Sequence, residues 1–421
     1  MEKLFQWLEK TIILPMARLS EQRHLKAIRN GIGYISPLIV VGSIFLIIAY
    51  PPIPKLAENM SLELVENILI PFRLTIGLMS LYTSFGIAYS LALSYQLDGI
   101  PCGILAMVSF IMATIPLDIN ERSFVSSMEN FGGSGLFTAI LISIFTVEAI
   151  RMLKTKGATI KMSKNTPDSV RKFYETLIPI GLVILIIWLV RIILGLDIQV
   201  FINKLFKPLV KVVNTLPGTL IIILLITLSW IAGIHGISVI GSIIRPIWLV
   251  LINENMLAFG KGTKYLPNII SEPFFQWFVL IGGSGATLGL VLLFLNSKSD
   301  YLKSLGKACI MPGIYNINEP IIFGAPIVLN PILGIPFVVG SIITGAISYL
   351  AMYFNIVRRP SIVAPWTLPA PIGAYLATAG DWRAIILVII NILITTAIYY
   401  PFFKAYEKQL LKEEQGKTVT K

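Results

Sequence analysis

The sequence predicts an all-α polytopic membrane protein with about ten transmembrane helices, re-entrant hairpins and interfacial amphipathic helices. Only 13% of the 421 residues are charged, whereas 55% are hydrophobic, and the mean hydropathy is +0.80. Soluble domains carry about 25% charged residues, so a bilayer explains this composition better than a compact core does.

Long stretches without any charge place the predicted spans, because a helix needs about 20 apolar residues to cross a bilayer. These stretches are residues 31–50, 74–96, 99–117, 130–147, 273–297, 320–357 and 384–403. Ahead of the first one, residues 1–19 have the loose apolar stripe of an amphipathic helix that lies on the membrane surface.

The net charge of +12 is distributed in an alternating pattern. Basic residues concentrate in 18–29 and 151–172, whereas the connections 51–67 and 118–129 are net acidic. Basic segments stay in the cytoplasm, so this pattern indicates a membrane protein with both termini cytoplasmic and no nucleic-acid partner. The lysines at 204, 207 and 211 depart from the pattern, because counting the spans places them outside.

The second half of the chain is rich in proline and glycine. A straight helix does not tolerate the proline density of residues 312–336, because each internal proline removes a backbone donor. Irregular backbone at membrane depth is stable only where protein buries it or water fills a cavity. We therefore divide the chain into an N-terminal five-span half, residues 1–196, and a C-terminal half, residues 197–421, that carries the site.

Glu319 is the strongest candidate for a functional side chain. It is the only charged residue between Lys307 and Arg358. A carboxylate in an apolar segment is costly unless it faces a partner or water. Asn316 and Asn318 add neutral hydrogen-bonding groups of the kind that read a polyol. The alternative interpretation is a structural carboxylate that caps a hairpin turn.

His235 is the second candidate, because it interrupts an uncharged run and has glycines on both sides of its segment. We expect it to be buried, neutral and able to accept a proton. The alternative is a core histidine with satisfied hydrogen bonds. The other histidine, His24, lies in a basic stretch, where we expect it to be solvated.

Trp230 and Trp366 are candidates for sugar binding, because indole rings lie against the apolar faces of sugar rings. Tryptophan is also common at membrane interfaces, which is the alternative for both. We expect Arg191 and Arg245 to lie near span ends and reach the interface. Glu272 and Asp381 are expected to mark span boundaries.

Other chemistry is not indicated by the sequence. Cys102 and Cys309 have no metal-binding spacing and are expected to be packed thiols, and we predict neither a metal nor a cofactor. There is no P-loop, which excludes an ATP-driven pump. No soluble extension offers a Cys or His suited to holding a phosphoryl group, so any phosphate is expected to come from another chain.

Residues 316–336, which read NINEPIIFGAPIVLNPILGIP, resemble the signature of the lactose/cellobiose family of enzyme IIC membrane components. The likeness extends to residues 22–29, to 232–236 (AGIHG), to 282–288 (GGSGATL) and to 365–367 (PWT). The GGSG at 282–285 also repeats the GGSG at 132–135, which is either an internal repeat or a coincidence.

The resemblance implies a homodimer in the bacterial inner membrane, with ten spans per protomer and the N-terminal half serving dimerisation and scaffolding. It implies a disaccharide held by a His and a Glu, which match His235 and Glu319. The sugar's 6-hydroxyl would take its phosphoryl group from a phosphocysteine of enzyme IIB, with enzyme IIA, HPr and enzyme I upstream. The sugar could be cellobiose, diacetylchitobiose, lactose or another β-glycoside.

Phosphoryl transfer to a hydroxyl needs positioning, charge stabilisation and an acceptor for the proton. Glu319 would bond the reacting hydroxyl or act as the base, and His235 would orient the ring or share the proton. Asn318, Trp230 and Trp366 would contact the sugar. Two rival functions stay open: an ion-coupled secondary sugar transporter in which Glu319 carries the proton, and an intramembrane enzyme acting on a lipid-linked substrate.

Overall fold

The computed structural model describes Pro15, Arg18 and residues 21–51, 60–115, 128–160, 162–163, 166–263, 265–325, 327–328 and 330–419. These residues form helices and connections, with no strand among them. The surface helix predicted for residues 1–19 and most of the acidic connection 118–129 lie outside the described residues.

The first α-helices in chain order are α1 (Arg23–Ala49), α2 (Leu62–Thr75), α3 (Met79–Ser94), α4 (Gly99–Thr114), α5 (Leu136–Thr155), α6 (Asp168–Trp188), α7 (Ile198–Val213) and α8 (Leu216–Ile231). The remainder are α9 (Gly236–Gly260), α10 (Glu272–Phe274), α11 (Leu288–Leu295), α12 (Asp300–Ile314), α13 (Glu319–Gly324), α14 (Pro331–Tyr353), α15 (Ala370–Ala377) and α16 (Trp382–Val419). Short π-helical turns at Leu189–Ile193 and Phe275–Val279 continue α6 and α10.

Seven helices of the described chain are long and apolar enough to cross a membrane, or eight if α7 and α8 count as one bent span. The predicted class, an all-α polytopic membrane protein, is confirmed. The predicted count of about ten spans is not confirmed, because helices such as α4, α11 and α12 are shorter than the roughly 20 residues that a span requires.

The lysines that depart from the charge pattern lie on α7, which is bent by 79° from α8. This helix is amphipathic, and large apolar side chains such as Phe201 and Leu205 are exposed on it. A bent amphipathic helix need not follow the inside–outside count of the spans, so these lysines do not contradict the positive-inside pattern.

The chain divides into two compact units. The N-terminal unit contains residues Glu21–Gly42 and Leu69–Val210, and its core is formed where α3, α4 and α5 pack together. Gly31 and Gly86 bring α1 and α3 into close contact, because a Cβ on Gly86 would meet the carbonyl oxygen of Gly31 at 2.9 Å. Small residues allow such approach of membrane helices.

A polar cluster in the N-terminal unit surrounds the carboxylate of Glu148. His24 Nε2 lies 2.9 Å from Glu148 Oε1, Tyr95 donates to the same oxygen at 2.5 Å, and Arg151 donates to Oε2 at 2.8 Å. The expectation that His24 is merely solvated is therefore wrong. Arg191 is also not at the interface as expected, since it is 3% exposed and donates to the carbonyl of Ile115.

The C-terminal unit contains the described residues of Ser43–Ile68 and Lys211–Lys421, and within it α14 packs against α8 and α16. The proline-rich stretch is broken as predicted: α12 ends at Ile314, the short α13 follows, and α14 begins at Pro331. Asn391 ties α16 to its neighbours by donating to the Phe278 carbonyl at 2.9 Å and to Ser348 Oγ at 2.8 Å. These bonds satisfy the buried amide nitrogen, which would otherwise be costly in an apolar core.

Asparagine side chains hold the loop that precedes α10. Asn214 Oδ1 accepts from the backbone N–H groups of Ile269 and Ile270, and Asn255 Nδ2 donates to the carbonyl of Asn268 at 2.7 Å. The loop therefore has a fixed path up to Glu272, the first residue of α10.

Candidate functional site

His235 lies in the connection between α8 and α9 and is the N-cap of α9. The connection turns sharply because Gly233 adopts a φ of +83°, a conformation that L side chains rarely adopt. At Gly236, a Cβ would collide with the carbonyl oxygen of Ile226 in α8. The glycines on both sides of His235 thus allow a tight return of the chain.

The imidazole of His235 is fixed by the start of its own helix. Its Nδ1 accepts a hydrogen bond from the backbone N–H of Ser238 at 3.2 Å, and the Ser238 hydroxyl lies 3.0 Å from the same nitrogen. The side chain is 46% exposed, so the predicted burial of His235 is wrong. The cap leaves Nε2 facing away from the helix.

Glu319 is the first residue of α13, and the loop before it is held by two asparagines. Asn316, at a φ of +62°, accepts from the backbone N–H of Gly282 at 2.9 Å and donates to the carbonyl of Leu368 at 3.1 Å. Asn318 is 4% exposed and donates to the carbonyl of Ser284 at 2.5 Å. In this arrangement the Asn318 amide supports the loop beneath Glu319.

The loop of residues 282–285 forms the seat for these asparagines. Gly282, Gly283 and Gly285 all have positive φ angles, and a Cβ on Gly283 would meet Asn318 Oδ1 at 2.5 Å. The similar sequence at 132–135 is built differently, because Gly132 and Gly135 have φ angles of −78° and −89°. The two GGSG segments therefore do not share a backbone conformation.

The two strongest sequence candidates meet in the structure. His235 Nε2 lies 3.6 Å from Glu319 Oε1, and both side chains are 46% exposed. This separation is too long for a direct hydrogen bond. It is short enough for a single oxygen atom to reach both groups at ordinary hydrogen-bond length, so the pair can hold one hydroxyl group.

The tryptophans occupy different positions. Trp230 is 3% exposed and its ring centroid lies 4.4 Å from that of His235, so it packs directly against the imidazole. Its indole Nε1 has no hydrogen-bond partner among the described residues. Trp366 is 60% exposed, and the structure brings it into no ring contact with Trp230 or His235 within the part of the chain it describes.

Sequence reasoning missed several residues that build the site. Ser238 contacts His235, and Ser284 contacts Asn318. His235 and Ser238 are spaced like an N-cap residue and its N3 partner, a pattern that could have indicated their contact. Arg245 was expected near a span end, but it lies within α9, and its Nη2 lies 2.5 Å from Glu272 Oε1. Glu272, which was expected to mark a span boundary, is the first residue of α10.

Neither cysteine nor any acidic cluster adds a metal site in the described part of the chain. No group of three His, Cys, Asp or Glu side chains there could hold a metal ion. Cys102 and Cys309 are free thiols, 3% and 2% exposed.

The fold and this site define a polytopic membrane protein with a half-exposed histidine and carboxylate pair beside broken helices. The sequence model of the family "Phosphotransferase system, EIIC" matches residues 29–341. The chain belongs to this family.

Individual relatives cover nearly the whole chain. The "PTS system cellobiose-specific EIIC component" of Geobacillus stearothermophilus is 38% identical, covering 99% of this chain and 97% of that protein. The "Lichenan permease IIC component" of Bacillus subtilis (strain 168) is 37% identical, covering 98% and 96%. The crystal structure of the transporter ChbC, the IIC component from the N,N'-diacetylchitobiose-specific phosphotransferase system, superposes with a TM-score of 0.90 at 36% identity, covering 97% of this chain and 99% of ChbC.

Proposed function

We propose that this chain is the sugar permease subunit of its phosphotransferase system, and that its substrate is a β-linked disaccharide such as cellobiose or diacetylchitobiose. The chain would bind the sugar, carry it across the membrane and present its 6-hydroxyl to a phosphocysteine of enzyme IIB. Enzyme IIA, HPr and enzyme I would supply the phosphoryl group upstream.

The names of the relatives support the substrate class. Cellobiose, lichenan and diacetylchitobiose are all β-linked, and the proteins with these names match along almost the full length of the chain. A β-linked saccharide is what these three names have in common, and two of the three name a disaccharide.

The observation that carries the proposal is the 3.6 Å separation of His235 Nε2 and Glu319 Oε1. A hydroxyl group is both a donor and an acceptor, and it can donate to the carboxylate while accepting from the imidazole. The pair would thereby hold one hydroxyl in a single orientation. Phosphoryl transfer passes through a loose transition state that depends mainly on such positioning.

The phosphoryl group would have to come from outside these helices. A cysteine must be exposed and able to form a thiolate before it can accept a phosphoryl group from a donor. Cys102 and Cys309 are both almost fully buried, so neither side chain can serve. This burial supports a donor cysteine on enzyme IIB.

We also propose a homodimer in the bacterial inner membrane, with both termini in the cytoplasm. Residues 1–196 would provide dimerisation and the scaffold, and residues 197–421 would carry the sugar site. The alternation of basic and acidic segments supports the orientation. This orientation would place the phosphorylated product on the cytoplasmic side, where enzyme IIB works.

Calorimetry on the purified protein tests the binding part of this proposal. We expect saturable binding of a β-linked disaccharide, and a His235→Ala variant that binds about two- to tenfold more weakly, as the loss of one hydrogen bond to a neutral ligand predicts. A folded variant with unchanged affinity would remove His235 from the site.

A further inference from the structure

Ser238 contacts His235 at Nδ1, the ring nitrogen that does not face Glu319. It is exposed, it lies three residues after His235, and both its backbone N–H and its hydroxyl approach His235 Nδ1. We propose that Ser238 is a positioning residue, which fixes the neutral His235 imidazole in the tautomer that carries its proton on Nε2.

The backbone contact decides which nitrogen carries the proton. A backbone N–H can only donate, so His235 Nδ1, 3.2 Å from the nitrogen of Ser238, must offer its lone pair. The neutral ring has one N–H, which is then on Nε2. The Ser238 hydroxyl, 3.0 Å from Nδ1, donates to the same lone pair and strengthens this preference.

Two further contacts lie next to Ser238 and the imidazole. The hydroxyl of Ser242, one turn further along α9, donates to the carbonyl of Ser238 at 2.5 Å. On the opposite side of the imidazole, Trp230 packs against the ring at a centroid distance of 4.4 Å. The ring is thus held by a cap at Nδ1 and by an indole, and its free nitrogen is the one that faces Glu319.

This tautomer gives His235 and Glu319 different roles toward the sugar, an inference that rests on the proposed function. With a proton on Nε2, His235 donates to the substrate hydroxyl and has no lone pair left for that hydroxyl's proton. Glu319 is then the acceptor of the pair. Metal-ligating histidines are held in one tautomer by a partner on the second nitrogen in the same manner.

The tautomer can be measured without sugar or phosphoryl donor, because the chain contains only two histidines. In a His24→Gln background, the nitrogen-15 NMR shifts of a labelled imidazole report His235 alone. In the spectrum of the neutral ring we expect the Nε2–H form to dominate. Ser238→Ala should raise the ratio of the Nδ1–H form to the Nε2–H form about two- to tenfold, which corresponds to the free energy of one hydrogen bond.

Two further variants separate positioning from folding. Ser238→Thr keeps a hydroxyl and should restore the ratio, and Ser242→Ala, which removes a hydroxyl without touching the imidazole, should leave it unchanged. A dominant Nδ1–H form in the parent, or an unchanged ratio in folded Ser238→Ala, would overturn the proposal.

Single-turnover phosphorylation with charged enzyme IIB completes the test. The rate should fall in Ser238→Ala in proportion to the population of the Nε2–H form, by at most about fivefold when that form dominates in the parent, and recover in Ser238→Thr. A rate that stays at the parent value while the measured Nε2–H population falls would overturn the positioning role. If the parent itself phosphorylates no sugar, the proposed function fails, whereas the tautomer assignment is decided by the NMR result.

Discussion

At the residue scale, the molecule brings together side chains that are 84 positions apart in the sequence, His235 and Glu319. The isolation of Glu319 in an apolar stretch and the flanking glycines of His235 were sufficient to single out both. Their partners were not predictable in the same way, because Ser238 and Ser284 look like ordinary small polar residues until the turns that contain them are known.

Glu319→Gln tests what the carboxylate contributes. A hydrogen bond to a charged group is worth about 1.5–3 kcal/mol, so we expect sugar affinity and the phosphorylation rate to fall together by roughly ten- to a hundredfold. Both quantities should be measured on one folded sample, by calorimetry and by single-turnover phosphorylation.

Two other outcomes at Glu319 would change the account. Nearly normal binding with phosphorylation slowed by about 10²- to 10⁴-fold would make the carboxylate a general base rather than a recognition group. A variant that fails to assemble in the membrane would make it a structural cap, and the site assignment would then be wrong.

At the element scale, loops rather than helices determine the site. The breaks around α13 follow from prolines that the sequence displays, and they were predicted. The seat at residues 282–285 was not predicted, because a GGSG sequence does not by itself say whether its φ angles are positive, and the copy at 132–135 adopts another conformation. Only the packing of Asn316 and Asn318 against the loop distinguishes the two.

Gly283→Ala probes this seat. A Cβ there would meet Asn318 atoms at 2.5 and 2.6 Å, so Asn318 must move, and the loop that carries Glu319 must move with it. We expect sugar affinity to fall although Gly283 touches no ligand. Gly262→Ala is the matched control, because Gly262 also has a positive φ, +72°, but open space around its Cβ position. Equal affinity losses in the two variants would contradict a role for the seat.

Asp381 anchors the start of α16 and gives a pH-dependent prediction. Its carboxylate accepts from Arg383 Nε at 2.8 Å and from the backbone N–H of Arg358 at 2.8 Å. Burial alone would raise the pKa of Asp381, but the hydrogen bonds from Arg383 and Arg358 outweigh it and hold the pKa below its usual value. Such a group contributes stability above its unfolded pKa of about 3.9, and the contribution is lost as the pH falls through the folded value.

Asp381→Asn should therefore lower the unfolding temperature at neutral pH, since bonds to a charged group are worth about 1.5–3 kcal/mol. The difference between parent and variant should shrink as the pH is lowered toward the acid range. Thermal unfolding in detergent at several pH values measures this, and a difference that stays constant with pH would show that the charge of Asp381 does not matter.

At the scale of the whole molecule, composition and charge-free runs were enough to predict the class of fold, because the bilayer imposes length and hydropathy on every span. They were not enough to predict the number of spans. Residues 273–297 lack charge like a span, yet they contain the end of α10, a π-helical turn, the 282–285 loop and α11. Hydropathy does not distinguish a span from a hairpin of the same composition.

We propose that this chain moves sugar only as part of a phosphoryl-transfer system. The direct measurement is uptake of a labelled β-linked disaccharide into vesicles that contain the purified protein, with or without charged enzyme IIB inside. We expect slow equilibration by the protein alone, and accumulation of the sugar 6-phosphate when charged enzyme IIB is present. Concentrative uptake of unmodified sugar by the protein alone, driven by a proton gradient, would contradict it.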